Sequence, residues 1–395
     1  MTKYLVMNKM MWLYTRHAFI PDYIPGNSPL NKGALTMELT RRNFVSAIAF
    51  SASVIASGAA LRKPQAAWAD DKTHFGIGHL NSTAHVLAFV AKEEGYFDEE
   101  GIDAELTQFS SGSELVAGLE SGKLQVALIG SVPTLVNQST GHEISIIGGA
   151  MTNGHGIVID PQYTEGLDSW DVTILKGRTV AVPRTTVQEL ETLQVLAEYG
   201  LTYAEDDSAD VKIVYFASQS DAYNALASAE IDAVTTYSPY MSRAVEDGYS
   251  VVYNCSDEEI FENQPCCRQV ALTSALEQDT APYVAFERAI IRAWHYYRTE
   301  QEGTVADVHK YIPIDEELID YELYSGEYAD SNPDPDKQAC IKLKESAVEF
   351  GYLEDYDIEP YFNTDIYAQA LASIIEENPD DELYQELQKH FDEVE

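Results

Sequence analysis

Short apolar runs alternate with amphipathic stretches along most of the chain, and this alternation predicts strands that are each followed by a helix. The apolar, β-branched run at 179–182 is typical of a strand that is covered on both faces. Pro183 ends that strand because proline has no N–H to donate to the ladder. The residues that follow predict a helix that ends at Gly200, and its apolar stripe comprises Leu190, Leu193, Val195, Leu196 and Tyr199.

The same alternation occurs on both sides of Trp170 and predicts two α/β units. Beyond Cys267 the strand signal fades to 269–272, helices follow with 282–298 the clearest, and 315–395 is acidic, rich in tyrosine and helical in pattern. We therefore predict an α/β protein with two mainly parallel sheets flanked by helices and a helical, acidic C-terminal region. The predicted strands are 74–80, 102–109, 124–129, 144–147 and 156–159 in the first unit and 178–182, 211–216, 232–236 and 250–253 in the second.

The corner after Pro183 is a candidate binding site. Thr185 or Thr186 can cap the next helix, and Glu189 follows Thr186 at the spacing of a capping box. Unpaired backbone N–H groups at a strand's carboxyl end, beside Arg184, would suit an anion or another polar group. The alternative is that Arg184 is a surface side chain paired with one of many acids.

The charge of the chain limits its partners. The formal net charge is −40, and residues 1–69 hold eight basic and two acidic side chains, so that the remainder carries −46. Such an acidic body argues against nucleic acid and against an anionic membrane surface as partners. The plainer interpretation of the charge is a solubility surface on an exported or salt-exposed protein.

Residues 37–69 have the pattern of an export signal. Arg41 and Arg42 precede a mildly apolar segment at 44–61, and an A-x-A cleavage site ends at Ala69 before Asp70. This arrangement resembles a twin-arginine signal, which implies the twin-arginine translocase as a partner during export. An uncut membrane anchor is the competing interpretation. We interpret residues 1–36 as a gene-start artefact or a disordered extension.

The sequence shows no catalytic motif and implies no cofactor. No GxSxG, HExxH or GKS/T pattern occurs, and four cysteines are too few and too irregular for a disulfide framework or a CxxC zinc site. His74, His79 and His85 lack the spacing of metal ligands, so we predict no metal site. Cys267 and Arg268, at a strand entry, are candidate ligand contacts, although buried, inert cysteines are the default.

Three blocks of the chain, in order, resemble the nitrate/sulfonate/taurine class of ABC-transporter substrate-binding proteins. They are "AKEEGYFDEEGIDAELTQFSSGSELVAGLESGKLQVALIGSVPTL", "LKGRTVAVPRTTVQELETLQVLAEYGL" and "ALASAEIDAVTTYSPYMSRAVEDGY". The resemblance implies a type II periplasmic-binding fold, in which two lobes joined by a hinge close on a small molecule. One lobe would comprise 72–158 and 255–395, and the other 159–254.

The resemblance also implies which loops meet the ligand. Two ligand-facing positions depart from the family pattern: Arg184 directly follows "VP", and Tyr237-Ser238-Pro239 replaces Trp-Glu-Pro. We therefore do not assign nitrate, a sulfonate or taurine as the ligand of this chain from the resemblance alone. The implied ligand-binding residues are His79, Asn81, Ser82, Thr83, Ser110, Ser111, Gly130, Ser131, Asn153, His155, Arg184, Thr185, Thr186, Tyr237, Ser238 and Tyr240. Cys267 and Arg268 are candidates because of their position at a strand entry facing the cleft, and the resemblance does not imply them.

Taken together, these features predict a monomeric, exported solute-binding protein that feeds an ABC importer, located in the periplasm or on the outer face of the cytoplasmic membrane. The solute would be small and anionic or heterocyclic, and the permease would be the membrane partner. We predict no enzymatic activity. The alternatives are an enzyme on the same fold, of the pyrimidine-precursor or menaquinone-pathway type, and a sensor that passes its ligand to a membrane receptor.

Overall fold

Two six-stranded sheets organise the part of the chain that the computed structural model describes, residues 72–326 and 329–395. These residues belong to one compact unit, 66–395. The predicted extension at 1–36 and the export signal, with Arg41, Arg42, Ala69 and Asp70, lie outside the described residues.

The first sheet has the strand order β12-β4-β11-β3-β1-β2. Strand β1 pairs in parallel with β2 and β3, whereas β11 runs antiparallel to β3 and β4, and β12 runs antiparallel to β4. These strands are buried between helices, and most of their buried side chains are apolar. Their bounds are β1 Thr73–His79, β2 Ile102–Gln108, β3 Val126–Gly130, β4 Ile144–Asn153, β11 Pro265–Leu272 and β12 Ala329–Asp330.

The second sheet has the strand order β10-β5-β9-β6-β8-β7. Strand β6 pairs in parallel with β8 and β9, and β7 with β8, while β5 runs antiparallel to β9 and β10. The bounds are β5 His155–Ile159, β6 Arg178–Pro183, β7 Tyr203–Ala204, β8 Val211–Phe216, β9 Ala233–Tyr237 and β10 Ser250–Asn254.

Both sheets are mixed, because the strands next to the crossings run antiparallel to their neighbours. The first crossing lies at Gly154, between β4 and β5, rather than after Val158 as the sequence suggested. Strand β5 belongs to the second sheet, since His155 pairs with Tyr237 of β9. The second crossing joins β10 to β11 through 255–264.

Strand β4 is longer than predicted and continues through the "GGAMTN" segment. Pairing with β11 and β12 holds this segment extended. A Cβ atom on Gly149 would lie only 2.0 Å from the carbonyl oxygen of Asp334, so a glycine lets these two backbones approach. A pair of glycines therefore marks a close contact here and not the end of a strand.

Helices cover both sheets, and the C-terminal region is helical as predicted. Short 3₁₀ turns occur at Thr83–His85, Pro161–Tyr163, Val172–Leu175, Cys255–Asp257, Glu259–Phe261 and Glu359–Tyr361, and a π turn at Tyr321–Ser325. The α-helices are α1 Val86–Glu93, α2 Tyr96–Glu99, α3 Gly112–Glu120, α4 Ser131–Ser139, α5 Val187–Glu198, α6 Gln219–Ala227, α7 Tyr240–Glu246, α8 Thr273–Gln278, α9 Ala281–Thr299, α10 Gln301–His309, α11 Glu316–Asp320, α12 Lys337–Glu349, α13 Asp365–Glu377 and α14 Glu382–Val394.

The main core lies where α9 packs against the first sheet. Phe75 of β1 stacks on Phe286 of α9, with ring centroids 5.4 Å apart, and Trp294 is buried on the same helix. Burying a side chain of this size contributes roughly 1.5–3 kcal/mol. The C-terminal helix α13 extends this core through Tyr367 and Leu371.

A smaller apolar seam joins the two lobes along one side. Val132 of α4 packs in one cluster with Val187 and Leu190 of α5 and with Leu343 of α12. The hydroxyl of Tyr352, just beyond α12, donates a hydrogen bond to the carboxylate of Glu189 on α5. The lobes are thus held face to face, which positions the loops described below.

Among the described helices, none combines the length and the apolar character that crossing a lipid bilayer would require.

Candidate functional site

Loops from the two lobes meet directly at the strand ends. Ser82, after β1, donates its hydroxyl hydrogen to the carbonyl oxygen of Ser238, after β9, at 2.9 Å. The Ser238 N–H donates in turn to the carbonyl of Gly154 in the first crossing, at 3.0 Å. Both serines are buried. The structure therefore brings together two of the predicted ligand loops and places them beside the hinge.

His79 and His85 line the first-lobe side of this meeting point, and both are buried. The Nδ1–H of His79 donates to the carbonyl of Leu80 at 2.9 Å, and its ring packs edge-on against Phe89. Burial lowers the pKa of His79 to about 4, with His85 as a lesser cause. His79 is therefore neutral at pH 7. His85 accepts the Leu80 N–H at Nδ1, 3.2 Å away, so that its Nε2 carries the proton.

A buried trio of His155, Glu191 and Cys255 lies at the hinge. The Nδ1–H of His155 donates to Oε1 of Glu191 at 3.1 Å, and the His155 backbone N–H donates to the Cys255 sulfur at 3.3 Å. One donor atom from each residue lies within 4.8 Å of those of the other two. An imidazole, a carboxylate and a thiol in this arrangement are a set of groups able to hold a metal ion.

The sequence identified His155 as a candidate but missed Glu191 and did not assign Cys255. Glu191 follows Val187 by four positions and precedes Val195 by four, so all three share one face of α5. A lone acid on an otherwise buried face was the signal that could have revealed it. Cys255 follows β10 directly and reaches the trio only because β10 pairs with β5.

Two adjacent thiols of the first lobe, those of Cys266 and Cys267, also lie at the meeting point of the lobes. Cys266 and Cys267 of β11 are free and buried, with sulfur atoms 3.1 Å apart. Hydrogen bonding from the Cys266 thiol holds the pKa of Cys267 below its usual range, and His85 adds to this effect. Burial raises the pKa of Cys266. Cys267, a predicted contact, thus lies among His85, Cys266 and His155.

Several buried polar atoms around this meeting point have no hydrogen-bond partner in the described part of the chain. Such atoms are uncommon in folded proteins and costly to leave unpaired. They mark positions where a bound molecule or ion could complete the bonding. These atoms are Thr83 Oγ1, Ser131 Oγ, Glu191 Oε2 and Tyr253 Oη.

The corner at 183–186 does not offer the open anion site that the sequence suggested. Thr186 caps α5 by accepting the Glu189 N–H at 3.2 Å, as predicted, but the Glu189 carboxylate takes the N–H of Thr185 at 2.5 Å. The Arg184 guanidinium stacks 3.7 Å from the Tyr215 ring centroid and pairs with Glu205 at 3.4 Å, and its side chain is 57% exposed. The Glu189 carboxylate thus binds the backbone amide of Thr185, and the Glu205 carboxylate pairs with the Arg184 guanidinium.

Other predicted contacts have local structural partners. Ser111 caps α3 by accepting the Glu114 N–H, and Glu114 accepts the Ser110 N–H, so this helix start is also closed by its own acid. The Arg268 guanidinium, buried in the first lobe, donates to three backbone carbonyls, those of Pro335, Met151 and Cys267. The side-chain hydrogen bonds of Ser111 and Arg268 are therefore all made within the first lobe.

The remaining predicted residues lie along the two crossings and the strand ends. Asn153, in the left-handed region at φ +54°, ties the crossings together because its backbone N–H donates to the Gln264 carbonyl at 2.8 Å. The Tyr237 and Tyr240 rings pack edge to face, with centroids 5.3 Å apart. Gly130 ends β3 immediately before Ser131, and Asn81 precedes Ser82 in the loop after β1.

Comparison with known proteins agrees with this architecture. The family model described as the NMT1-like family matches residues 69–312. The protein YtlA of Bacillus subtilis, which carries the name of a binding protein, is 25% identical over 65% of this chain and 76% of its own length.

Solved structures share the fold at lower sequence identity. The periplasmic aliphatic sulphonate binding protein SsuA of Escherichia coli superposes with a TM-score of 0.61 and 18% identity, covering 75% of this chain and 99% of its own. The periplasmic nitrate-binding protein NrtA of Synechocystis PCC 6803 gives 0.66 and 16%, covering 76% and 89%. With two mixed sheets joined by two crossings and a family match over most of the described body, this chain belongs to the NMT1-like family and has the two-lobed periplasmic-binding-protein fold.

Proposed function

We propose that this protein is an exported solute-binding protein that captures a small solute between its lobes and delivers it to an ABC permease. The family membership and the names of the similar proteins, which are those of binding proteins, support this role. Ligand that prefers the closed form would shift the lobes toward closure by its differential affinity. The closed form would then dock on the permease.

The observation that carries the proposal is the group of unpartnered polar atoms beside the meeting point of the lobes. Thr83 and Ser131 are buried at the ends of first-lobe strands, where their hydroxyl groups find no partner among the described residues. Ser131 precedes Val132, which packs against α5 of the second lobe. A solute held here would supply the missing hydrogen bonds and would be enclosed by both lobes.

The charges of the region favour an uncharged heterocyclic solute over an anion. Arg184 is exposed and paired with Glu205, and His79 is neutral at pH 7. The Arg268 guanidinium donates from Nε and Nη1 to backbone carbonyls of the first lobe. Its Nη2 has no hydrogen-bond partner among the described residues, but the carboxylates of Asp334 and Asp336 act on its charge. Glu191 adds a carboxylate to the same region. Imidazole, hydroxyl and thiol groups next to the Tyr237 ring suit a small ring with its own donors and acceptors.

A thermal-shift screen of small solutes, followed by calorimetry on two serine variants, tests the proposal. Ser131→Ala removes a buried hydroxyl that has no partner in the described structure, so the free protein should keep its stability. Solute affinity should fall, by about 1–3 kcal/mol for a lost buried hydrogen bond.

Ser139→Ala at the far end of α4 is the matched control. Its hydroxyl bonds to the carbonyl of Val136 in its own helix, so solute affinity should not change. Equal affinities for wild type and Ser131→Ala, measured for a solute that raises the melting point, would reject this location for the site.

We also propose that residues 37–69 direct export through the twin-arginine translocase. Replacing Arg41 and Arg42 together by lysine should retain the protein in the cytoplasm, because the signal is read through the arginine pair. Arg62→Lys, in the same segment but behind the apolar stretch, is the control and should be exported normally. Continued export of the double variant would argue against this route.

A further inference from the structure

The buried trio at the hinge brings together three side chains that can each ligate a metal ion. We propose that His155, Glu191 and Cys255 bind a transition-metal cation of the zinc type. The three residues come from β5, α5 and the turn after β10, so the second sheet and its crossings bring them together. This inference goes beyond the proposed function, because the three metal-binding side chains would hold the ion whichever solute binds in the cleft.

The distances and the burial fit an ion. Zinc is bound at about 2.0–2.3 Å by nitrogen, oxygen and sulfur ligands, and donor atoms that lie within 4.8 Å of one another need only small movements to meet that geometry. Glu191 and His155 are each about 1% exposed. The metal would therefore be enclosed and would exchange with solvent only when the lobes open.

An unpaired carboxylate oxygen is the second, independent observation. Oε2 of Glu191 has no hydrogen-bond partner in the described part of the chain, and its salt bridge is to His155 alone. A buried carboxylate that is only partly compensated is costly unless a cation or further donors complete it. A bound metal ion would supply that charge at the position where the structure lacks it.

The donor set selects the kind of ion. Mg²⁺ and Ca²⁺ prefer oxygen ligands throughout, whereas one thiolate, one imidazole and one carboxylate suit Zn²⁺ and its neighbours in the first transition row. Binding would release the thiol proton of Cys255 to the buffer as the thiolate forms.

Cobalt titration of the purified, chelator-stripped protein under reducing conditions tests the site. We expect one Co²⁺ per chain, with a thiolate-to-cobalt charge-transfer band that one equivalent of Zn²⁺ abolishes. Excess Mg²⁺ in the buffer occupies the many surface carboxylates, which cannot produce a thiolate band. The absence of such a band in the folded wild-type protein would overturn the proposal.

Variants then assign the ligands. Cys255→Ser and Glu191→Gln should each weaken Zn²⁺ binding at least about tenfold, since loss of even an outer partner of a metal ligand costs ~10–100-fold. Cys340→Ser is the matched control, because Cys340 is also buried and free but bonds to the carbonyl of Pro335, away from the trio. Affinity unchanged in both trio variants would place the metal elsewhere and reject the assignment.

If Cys255→Ser fails to fold, the near-isosteric Glu191→Gln still tests the assignment. Circular dichroism checks that each variant is folded. A missing cobalt band with intact solute binding rejects the ion site alone. An intact band in a protein that no solute stabilises rejects the proposed function alone.

Discussion

His79 illustrates how a single buried side chain sets the polarity of the meeting point between the lobes. It is 3% exposed, and its ring is enclosed by Phe89, Tyr311 and His85. Burial lowers its pKa from 6.5 to about 4. The imidazole therefore contributes hydrogen bonding and packing at neutral pH, and no positive charge.

The lowered pKa predicts a loss of stability in acid. Between about pH 6.5 and 4 the unfolded chain binds a proton at His79 that the folded protein does not, so stability falls as the pH drops through this window. From pH 7 to pH 5 the loss from this residue should be about 2 kcal/mol, and it should be missing in His79→Gln. Urea unfolding at both pH values measures it.

The comparison between wild type and variant isolates His79 from other titrating groups. Asp334, whose pKa burial raises to about 6, changes stability in the opposite sense but is present in both proteins. An identical pH dependence of the two unfolding free energies would contradict the structural account of His79.

Arg184 leads to a prediction at the same scale. Because its guanidinium is exposed, stacked on Tyr215 and paired with Glu205, Arg184→Ala should leave solute affinity unchanged. The stability cost should be small, at most about 1 kcal/mol, as for other exposed pairs. Calorimetry with a solute found by thermal shift measures the affinity, and a tenfold loss would return Arg184 to the binding site.

The residues of the site show why sequence reasoning reached only part of it. Ser82, His155, Ser238 and Cys267 were predicted from their positions at strand ends, and the structure brings them together. Glu191 was missed because a helical acid is usually on the solvated face, whereas here it is buried against His155, which lies far from it in sequence. Arg184 is predicted as an anion contact, but local spacing does not reveal that Glu205 pairs with its guanidinium and that the Tyr215 ring stacks on it.

At the scale of elements, α5 carries much of the contact between the lobes. Val187 and Leu190 pack against Val132 of the other lobe, and Glu189 accepts hydrogen bonds from Thr185 and from Tyr352. One helix thereby contributes to its own cap, to the apolar seam and to the buried trio. Its sequence must satisfy all three, which explains why the buried residues of the helix include two acids, Glu189 and Glu191.

The Tyr352 hydrogen bond predicts a variant that opens the lobes. Tyr352→Phe keeps the ring but removes a hydroxyl that bonds to a carboxylate across the seam, an interaction worth at most about 1.5–3 kcal/mol. The closed form should become less populated and solute affinity should fall. Small-angle scattering should show a larger radius of gyration for the variant without solute.

Tyr356→Phe is the matched control, because the Tyr356 hydroxyl bonds at 2.8 Å to Gln138 of α4 within the first lobe. Its scattering should equal that of wild type. If both tyrosine variants gave the wild-type radius and affinity, the seam would have no role in closure.

The local sequence pattern predicted most strands and helices. Pairing between strands that are distant in sequence explains where the observed elements differ from the predicted ones. The strand–helix order and the helix cap at Thr186 depend on residues close in sequence, and the structure confirms them. The return bond of the Glu189 carboxylate goes to the N–H of Thr185 instead of that of Thr186. The extension of β4 through Gly149 depends on antiparallel pairing with β11, which lies more than a hundred positions away. The antiparallel strand β5 depends in the same way on its distant partners β9 and β10. No local pattern encodes such a partner.

At the scale of the whole molecule, the described body consists of two mixed sheets, two crossings and one apolar seam. We propose that the lobes open and close about Gly154 and the 255–264 segment. Polar atoms without partners among the described residues lie where the lobes meet, and the paired Ser82 and Ser238 show that this region is enclosed when the lobes face each other. The central claim is that a small solute completes this arrangement and holds the lobes together.

Small-angle scattering of the wild-type protein, with and without a solute that raises its melting point, tests this claim most directly. A solute that binds only the native protein adds about 2.7 kcal/mol of stability at a hundred times its dissociation constant, which ensures that the bound form dominates the sample. We predict that the radius of gyration decreases on binding to the value of the closed structure. A stabilising solute that leaves the radius unchanged, at a value above that of the closed structure, would contradict capture between the lobes.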